Sequence, residues 1–180
     1  MHMVALLRGI NVGGHRKVPM AALCLAAEGA GFKDVKTYIQ SGNLVFSAGR
    51  LSVAQTASRL EGAIEQRFGF AVDVIVRTEK QWQVYARSSP FPEAASDRPN
   101  LLMLGLAKMP LASAAAAYLR ERAHSGERIK IVGDAIWIDF DASVGRSKLS
   151  PTVLDRAAGS AVTLRNWKTV TKLDEMLSGG

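Results

Sequence analysis

The sequence predicts an α+β protein made of two tandem ferredoxin-like βαββαβ subdomains with a C-terminal helix, and three observations carry that expectation. Segments alternating apolar and polar residues and segments with apolar residues at helical spacing follow one another in the order β, α, β, β, α, β, and the order then repeats. Cap and turn residues punctuate the segments where that order requires a break. Pro90, Pro92 and Pro99 crowd into one stretch between the two runs, so the expected organisation is 1-88, a connector at 89-99, and 100-180. With 180 residues, 48% of them hydrophobic, the chain can bury a core without covalent staples.

Residues 3 to 7 read as the first strand, followed by a loop through Gly13-Gly14 and by Pro19, which suits a first helical position. Met20, Leu23 and Ala27 then recur at helical spacing, and Gly29 or Gly31 supplies the stop. Residues 34 to 39 and 43 to 47 form a hairpin around Ser41-Gly42. Ser52 and Gln55 stand in capping-box spacing ahead of the stripe Val53, Ala57, Leu60, Ile64, Phe68, and Gly69 closes that helix. Alternation over 71 to 77 gives the fourth strand, and Thr78 with Gln81 opens a helix over 79 to 87. The segment around the three prolines reads as extended.

The second half offers strands at 101 to 107, 128 to 132, 135 to 140 and 161 to 165, with Gly133-Asp134 turning the middle pair. Helices are expected at about 111 to 123, from Ser150-Pro151 to Gly159, and along Val170, Leu173 and Leu177. No identity between the halves is evident, so the expectation is repeated architecture and not duplication.

Composition narrows the classes of function. A formal charge of +7 favours anionic partners, with nucleic acid, phosphorylated metabolites and anionic surfaces all permitted, although simple solubility explains the same charge. The single Cys24 excludes an internal disulfide and sits among apolar neighbours, which suits a core residue better than a nucleophile. The three His residues stand far apart, so no metal motif exists, and no cofactor is implied. No apolar run reaches the roughly 18 residues of a membrane span, no signal peptide is evident, and the expected location is the cytoplasm.

Four segments are candidates for binding. Arg8-Gly9-Ile10-Asn11-Val12-Gly13-Gly14 leads from a strand toward a helix, where backbone amides and Arg8 could receive an anion; a structural turn is the alternative. It lacks the lysine and hydroxyl of a nucleotide-binding loop and the glycine spacing of a dinucleotide fingerprint. Gln40, Ser41 and Asn43 lie in the hairpin turn, where Ser41 and Asn43 suit turn chemistry and Gln40 suits it less. Arg146, Ser147 and Lys148 place two cations and a hydroxyl in one strand-to-helix loop, read as the counterpart of the Arg8 loop. Arg165, Asn166 and Trp167 join a guanidinium, an amide and an indole that could stack on a planar ligand, although Trp167 also suits the core.

These segments carry a resemblance. Ala5 to Gly14, Thr37 to Asn43, Gly145 to Leu149 and Arg165 to Thr169 resemble the domain-of-unknown-function 1697 family over nearly the whole chain. The resemblance implies a bacterial α+β protein with two ferredoxin-like parts and carries no activity. Lys168 departs from the polar residue expected there, and His15-Arg16 occupy a variable part of the first loop.

Three functional classes follow: a protein binding a phosphate-bearing ligand or nucleic acid, an enzyme acting on a small anionic metabolite, and a protein-interaction module. No residue identifies itself as a general base, so no catalytic residue is assigned. Oligomeric state is not legible. Convergence of the four segments favours a ligand site, and separation favours an interaction module.

Overall fold

Each half of the chain gathers four strands into one antiparallel sheet in the computed structural model, which describes residues 1 to 141 and 143 to 179. The chain divides into one unit of Met1–Gln83 with Leu173–Gly180, and a second of Val84–Lys172. In the first unit, β1 (His2–Leu7), α1 (Met20–Gly29), β2 (Lys33–Tyr38), β3 (Asn43–Ser47), α2 (Val53–Phe68) and β4 (Val74–Thr78) follow in order, and α3 (Glu79–Arg87) begins there. Its sheet runs β2-β3-β1-β4, and its helix-side core contains Met3, Leu23, Phe46, Leu60 and Ile64.

The second unit contains α4 (Pro92–Asp97), β5 (Leu102–Ala107), α5 (Ala115–Arg120), β6 (Arg128–Val132), β7 (Ala135–Asp139), α6 (Pro151–Ala158) and β8 (Val162–Asn166). α7 (Trp167–Leu177) follows, and the sheet order is β6-β7-β5-β8. Ile129, Ile136, Ile138, Phe140 and Leu154 form its core.

The repetition extends to single hydrogen bonds. The inner strands share one register, His2↔Ser47 through Leu6↔Asn43 in the first sheet and Leu102↔Asp139 through Leu106↔Ala135 in the second. Gly69 and Gly159 end α2 and α6 at φ +79 and +76, each donating its N–H to the carbonyl four residues back. The N–H of Val74, first in β4, donates to Glu61 Oε1 at 2.9 Å, and that of Val162, first in β8, donates to Asp155 Oδ1 at 2.8 Å. Arg77 and Arg165 each donate Nη1 to the carbonyl of the preceding residue. Thr78 Oγ1 and Asn166 Oδ1 each cap the helix that follows, accepting from Gln81 N and Thr169 N.

Three elements differ from the sequence expectation. The segment 89 to 99 is not simply extended, because Pro92 opens α4 and its fixed φ is preorganised for a first helical turn. The alanine-rich helix spans only Ala115–Arg120: Ala114 has no side-chain cap to offer. Past the helix, Arg122 N and Ala123 N make bonds three residues back. β4 starts at Val74 and not at 71, because the β1 ladder first supplies a partner at Leu7↔Val74. The C-terminal Leu173–Gly180 groups with the first unit, a tertiary relation that a cut placed at the proline-rich stretch does not register.

Among the described glycines of the first unit, Gly42, in the turn between β2 and β3, has the least room for a side chain. Its φ is +76, and a Cβ there would lie 2.7 Å from Ile10 Cδ1 and 2.8 Å from Leu7 Cβ. The Gly42 carbonyl accepts the Leu7 N–H at 2.8 Å, so the backbone cannot retreat without losing that bond. Gly42→Ala combines left-handed strain with overpacking and is expected to cost about 3 kcal/mol. Urea unfolding measures the loss, and Gly14→Ala, whose Cβ meets nothing within 4 Å, is the milder control.

Candidate functional site

In the first unit, the segment after β1 folds into a short finger. Asn11 N–H donates to Arg16 O and His15 N–H to Val12 O, both at 3.1 Å, so Gly13 and Gly14 turn the chain at φ +57 and +78. Asn11 fastens the base: its Nδ2 donates to Val18 O at 3.0 Å and Gln40 O at 2.7 Å, and its Oδ1 accepts from Val18 N at 2.8 Å. Val12 through Lys17 are all exposed. The finger carries unusual backbone: Asn11 and Arg16 have φ +54 and +48, and the adjacent hairpin has Ile39 at φ +50. A β-branched residue in that region is strained, and Ile39 is half exposed, so burial of its side chain does not explain the conformation.

Asn11, Gln40, Ser41 and Asn43 are therefore brought together, in different roles. Asn43 is fully buried and donates Nδ2 to Tyr38 O at 2.8 Å and to Ser41 Oγ at 3.0 Å, which is turn chemistry. Gln40 offers its carbonyl to Asn11 and exposes its side chain. Arg8 is half buried, and its N–H donates to Asp73 O at 3.0 Å. The exposed cations of this region are Arg16 and Lys17, beside His15. Sequence reasoning placed the charge on Arg8 and treated His15 and Arg16 as variable loop; two glycines flanked by residues able to pair across them were the available signal.

In the second unit, Val144–Arg146 form a single 3₁₀ turn, with Arg146 and Lys148 exposed. Ser147 ties this turn down: its hydroxyl donates to Glu127 Oε1 and accepts from Leu149 N at 3.1 Å. Burial raises the Glu127 carboxyl, but hydrogen bonds from Ser147, its own backbone and Ser125 outweigh that and hold it below the ordinary range. A carboxylate kept anionic in this way is a poor general base for Ser147. The turn follows β7 and precedes α6, whereas the finger follows β1 and precedes α1. The positional counterpart of the finger is the stretch after β5, so the equivalence expected between the two loops does not hold.

Arg165 is buried on β8 and donates Nη1 to Thr163 Oγ1 at 2.7 Å and Leu164 O at 2.8 Å. Burial lowers its pKa to about 10, leaving it charged at neutral pH. Asn166 spends its Oδ1 on the cap of α7. The Trp167 ring is partly buried against Trp137, with centroids 5.8 Å apart, so the indole packs within the unit on at least one side.

One cluster was not anticipated. Asp139, 1% exposed at the end of β7, accepts from Arg98 Nε and Nη2 at 2.9 and 2.6 Å and from Arg128 Nε and Nη2 at 2.9 and 2.6 Å. Arg128 also pairs with Glu93 at 2.5 Å and lies over the Phe91 ring. The segment around α4 is thereby pinned to the sheet. An acid breaking the apolar run 135 to 140 was the only signal, because Arg98 is far away in sequence.

Cys24 is half buried on α1, its thiol 3.8 Å from Thr37 Oγ1. Among the described residues no three His, Cys, Asp or Glu side chains gather as a metal site, and no helix is long and apolar enough to cross a membrane.

The geometry defines an α+β protein of two four-stranded antiparallel units that presents basic loops. The chain belongs to the family described as protein of unknown function (DUF1697), which matches residues 1–137. It is similar in fold to a solved structure, the conserved bacterial protein SP0830 from Streptococcus pneumoniae, with a TM-score of 0.74 and 24% identity over 98% of each chain. No curated protein matches the chain.

Burial raises the Asp139 carboxyl, but its bonds to Arg98 and Arg128 overcome this and hold it below the ordinary carboxylate range. Its stabilising effect is complete above the unfolded value, about 3.9, and is lost as pH falls through the lower folded value. Asp139→Asn should cost about 2–3 kcal/mol at pH 7, less than a fully buried pair because both arginines reach solvent. Thermal unfolding across a pH series should show the variant and the natural protein converging in acid.

Proposed function

We propose that this protein binds a phosphate-bearing or other anionic partner, nucleic acid included, through exposed basic loops, and that each unit is a ferredoxin-like βαββαβ platform for them. The strand orders β2-β3-β1-β4 and β6-β7-β5-β8, with every neighbouring pair antiparallel, support the platform reading. The observation that carries the binding reading is the finger. Residues 12 to 17 are exposed, two non-glycine residues of the loop sit at positive φ, and no acidic residue occurs between Arg8 and Ala27. Asn11 gains three hydrogen bonds in that conformation, whereas Arg16 is exposed, so no side-chain burial offsets its strain, and such strain clusters at binding sites. Arg16 and Lys17 supply charge, and Gln40 supplies a polar contact beside the finger's base.

Arg146 and Lys148 are a second basic loop, held by Ser147 and Glu127. The net charge of +7 would steer anions to either loop. The free thiol of Cys24 suits a reducing cytoplasm.

Fluorescence anisotropy with labelled DNA and RNA across a salt series tests the reading. Binding should weaken as salt rises, and the double variant Arg16→Ala with Lys17→Ala should lower the salt slope by about two, one for each phosphate contact removed. The pair Arg146→Ala with Lys148→Ala reads the second loop independently. Failure to bind any nucleic acid at low salt would remove that partner, and titration with inorganic phosphate and pyrophosphate would then test the small-anion form.

A further inference from the structure

The four outer strands of the two sheets are not equally protected against pairing with another chain. β2 is broken by a register shift between Lys33 and Lys36, and Asp34 stands there at φ +54, so its edge cannot continue a regular ladder. β4 and β8 have their first N–H groups already taken by the carboxylates of Glu61 and Asp155. β6 has neither device. It pairs with β7 without interruption from Arg128↔Asp139 to Val132↔Ala135.

The hairpin geometry says which groups of β6 point outward. Gly133 and Asp134 form a two-residue turn, with Gly133 at φ +60, so the flanking Val132 and Ala135 exchange both backbone hydrogen bonds. Alternation along an antiparallel ladder then turns Lys130 and Arg128 inward to β7 and leaves the N–H and C=O of Ile129 and Ile131 aimed away from it. Among the described residues neither isoleucine's backbone makes any other hydrogen bond. Their side chains belong to the core face, while Arg128, Lys130 and Val132 are exposed on the other.

The charge on that exposed face chooses the occupant. Arg98 and Arg128 are matched by Asp139 and Glu93. Lys130 has no carboxylate partner among the described residues; its ammonium reaches Pro90 O at 3.2 Å and lies 5.0 Å from the Phe91 ring. A second copy pairing antiparallel about the strand centre would set Lys130 against Lys130, which is unfavourable. We propose that β6 is a docking edge for an extended acidic segment of a partner protein, which adds as a fifth strand, bonds to Ile129 and Ile131, and sets a carboxylate beside Lys130. This is β-augmentation, in which backbone bonds provide affinity and alternate side chains provide selectivity. It is independent of the anion-binding finger.

A short peptide alternating Glu and Val is the probe, with its Lys-for-Glu counterpart as control, and amide exchange followed by NMR is the readout. The Glu peptide should bind and slow exchange at Ile129 and Ile131. Lys130→Glu, an exposed substitution that leaves the ladder intact, should weaken the Glu peptide about threefold and favour the Lys peptide by a similar factor, the size expected of one cross-strand charge pair. Absence of binding, or binding that leaves both amides unchanged, overturns the proposal. So does protection of the two amides that rises with protein concentration alone, which would make the occupant a second copy.

Discussion

The contact among Leu7, Ile10 and Gly42 constrains the first unit, because three chain segments meet where the side chains of Leu7 and Ile10 leave no room for a Cβ on the third. β1 ends there, the hairpin between β2 and β3 turns there, and the finger departs from there. The absence of a Cβ at Gly42 lets its carbonyl reach the Leu7 N–H, and Asn11 then completes the junction with three bonds from one amide. Buried polar backbone groups must find partners, so a single side chain satisfying several of them also dictates where the loop goes. The solvent-exposed chemistry of Arg16, Lys17 and Gln40 rests on that junction.

The second unit solves its own loop problem by charge. Asp139 occupies the strand position that Ser47 holds in the first unit, facing a register partner in the same way. A buried carboxylate cannot remain ionised without compensation, and two guanidiniums supply it from different parts of the chain. One of them, Arg98, lies at the end of α4, so neutralising the charge also fastens the segment that precedes β5. Lys130, on the neighbouring strand, donates to Pro90 O and has no carboxylate partner among the described residues.

Against this divergence, the bonds at Val74 and Val162, at Gly69 and Gly159, and at Thr78 and Asn166 recur in both halves. They sit where an element begins or ends, which is where backbone donors lack regular partners. Glycine closes the helix in both halves and valine opens the strand, whereas the accepting acid, Glu61 or Asp155, and the helix cap, Thr78 or Asn166, differ while the bond is kept. That is why the repeat is visible in hydrogen bonds and faint in identity.

Local chemistry was legible from sequence. Ser52 with Gln55, Ser150 before Pro151, the closing glycines 69 and 159, and the Ser41-Gly42 turn ahead of residues 43 to 47 each act within a few residues, so the sequence by itself determined the order and type of most elements. The basic loops were legible as composition. Their roles were not, because Asn11, Asn43, Asn166 and Ser147 carry side chains equally able to meet a ligand or to satisfy backbone nearby, and only folded distances show that each is committed to the latter. Tertiary structure alone decided that Arg165 is buried, that Trp167 lies against Trp137, that Asp139 gathers two arginines, and that β6 is a regular edge whose Lys130 meets the Pro90 carbonyl. The physical reason is range: caps and periodicity are set by neighbours along the chain, whereas burial, charge matching and the exposure of a strand edge depend on segments tens of residues away.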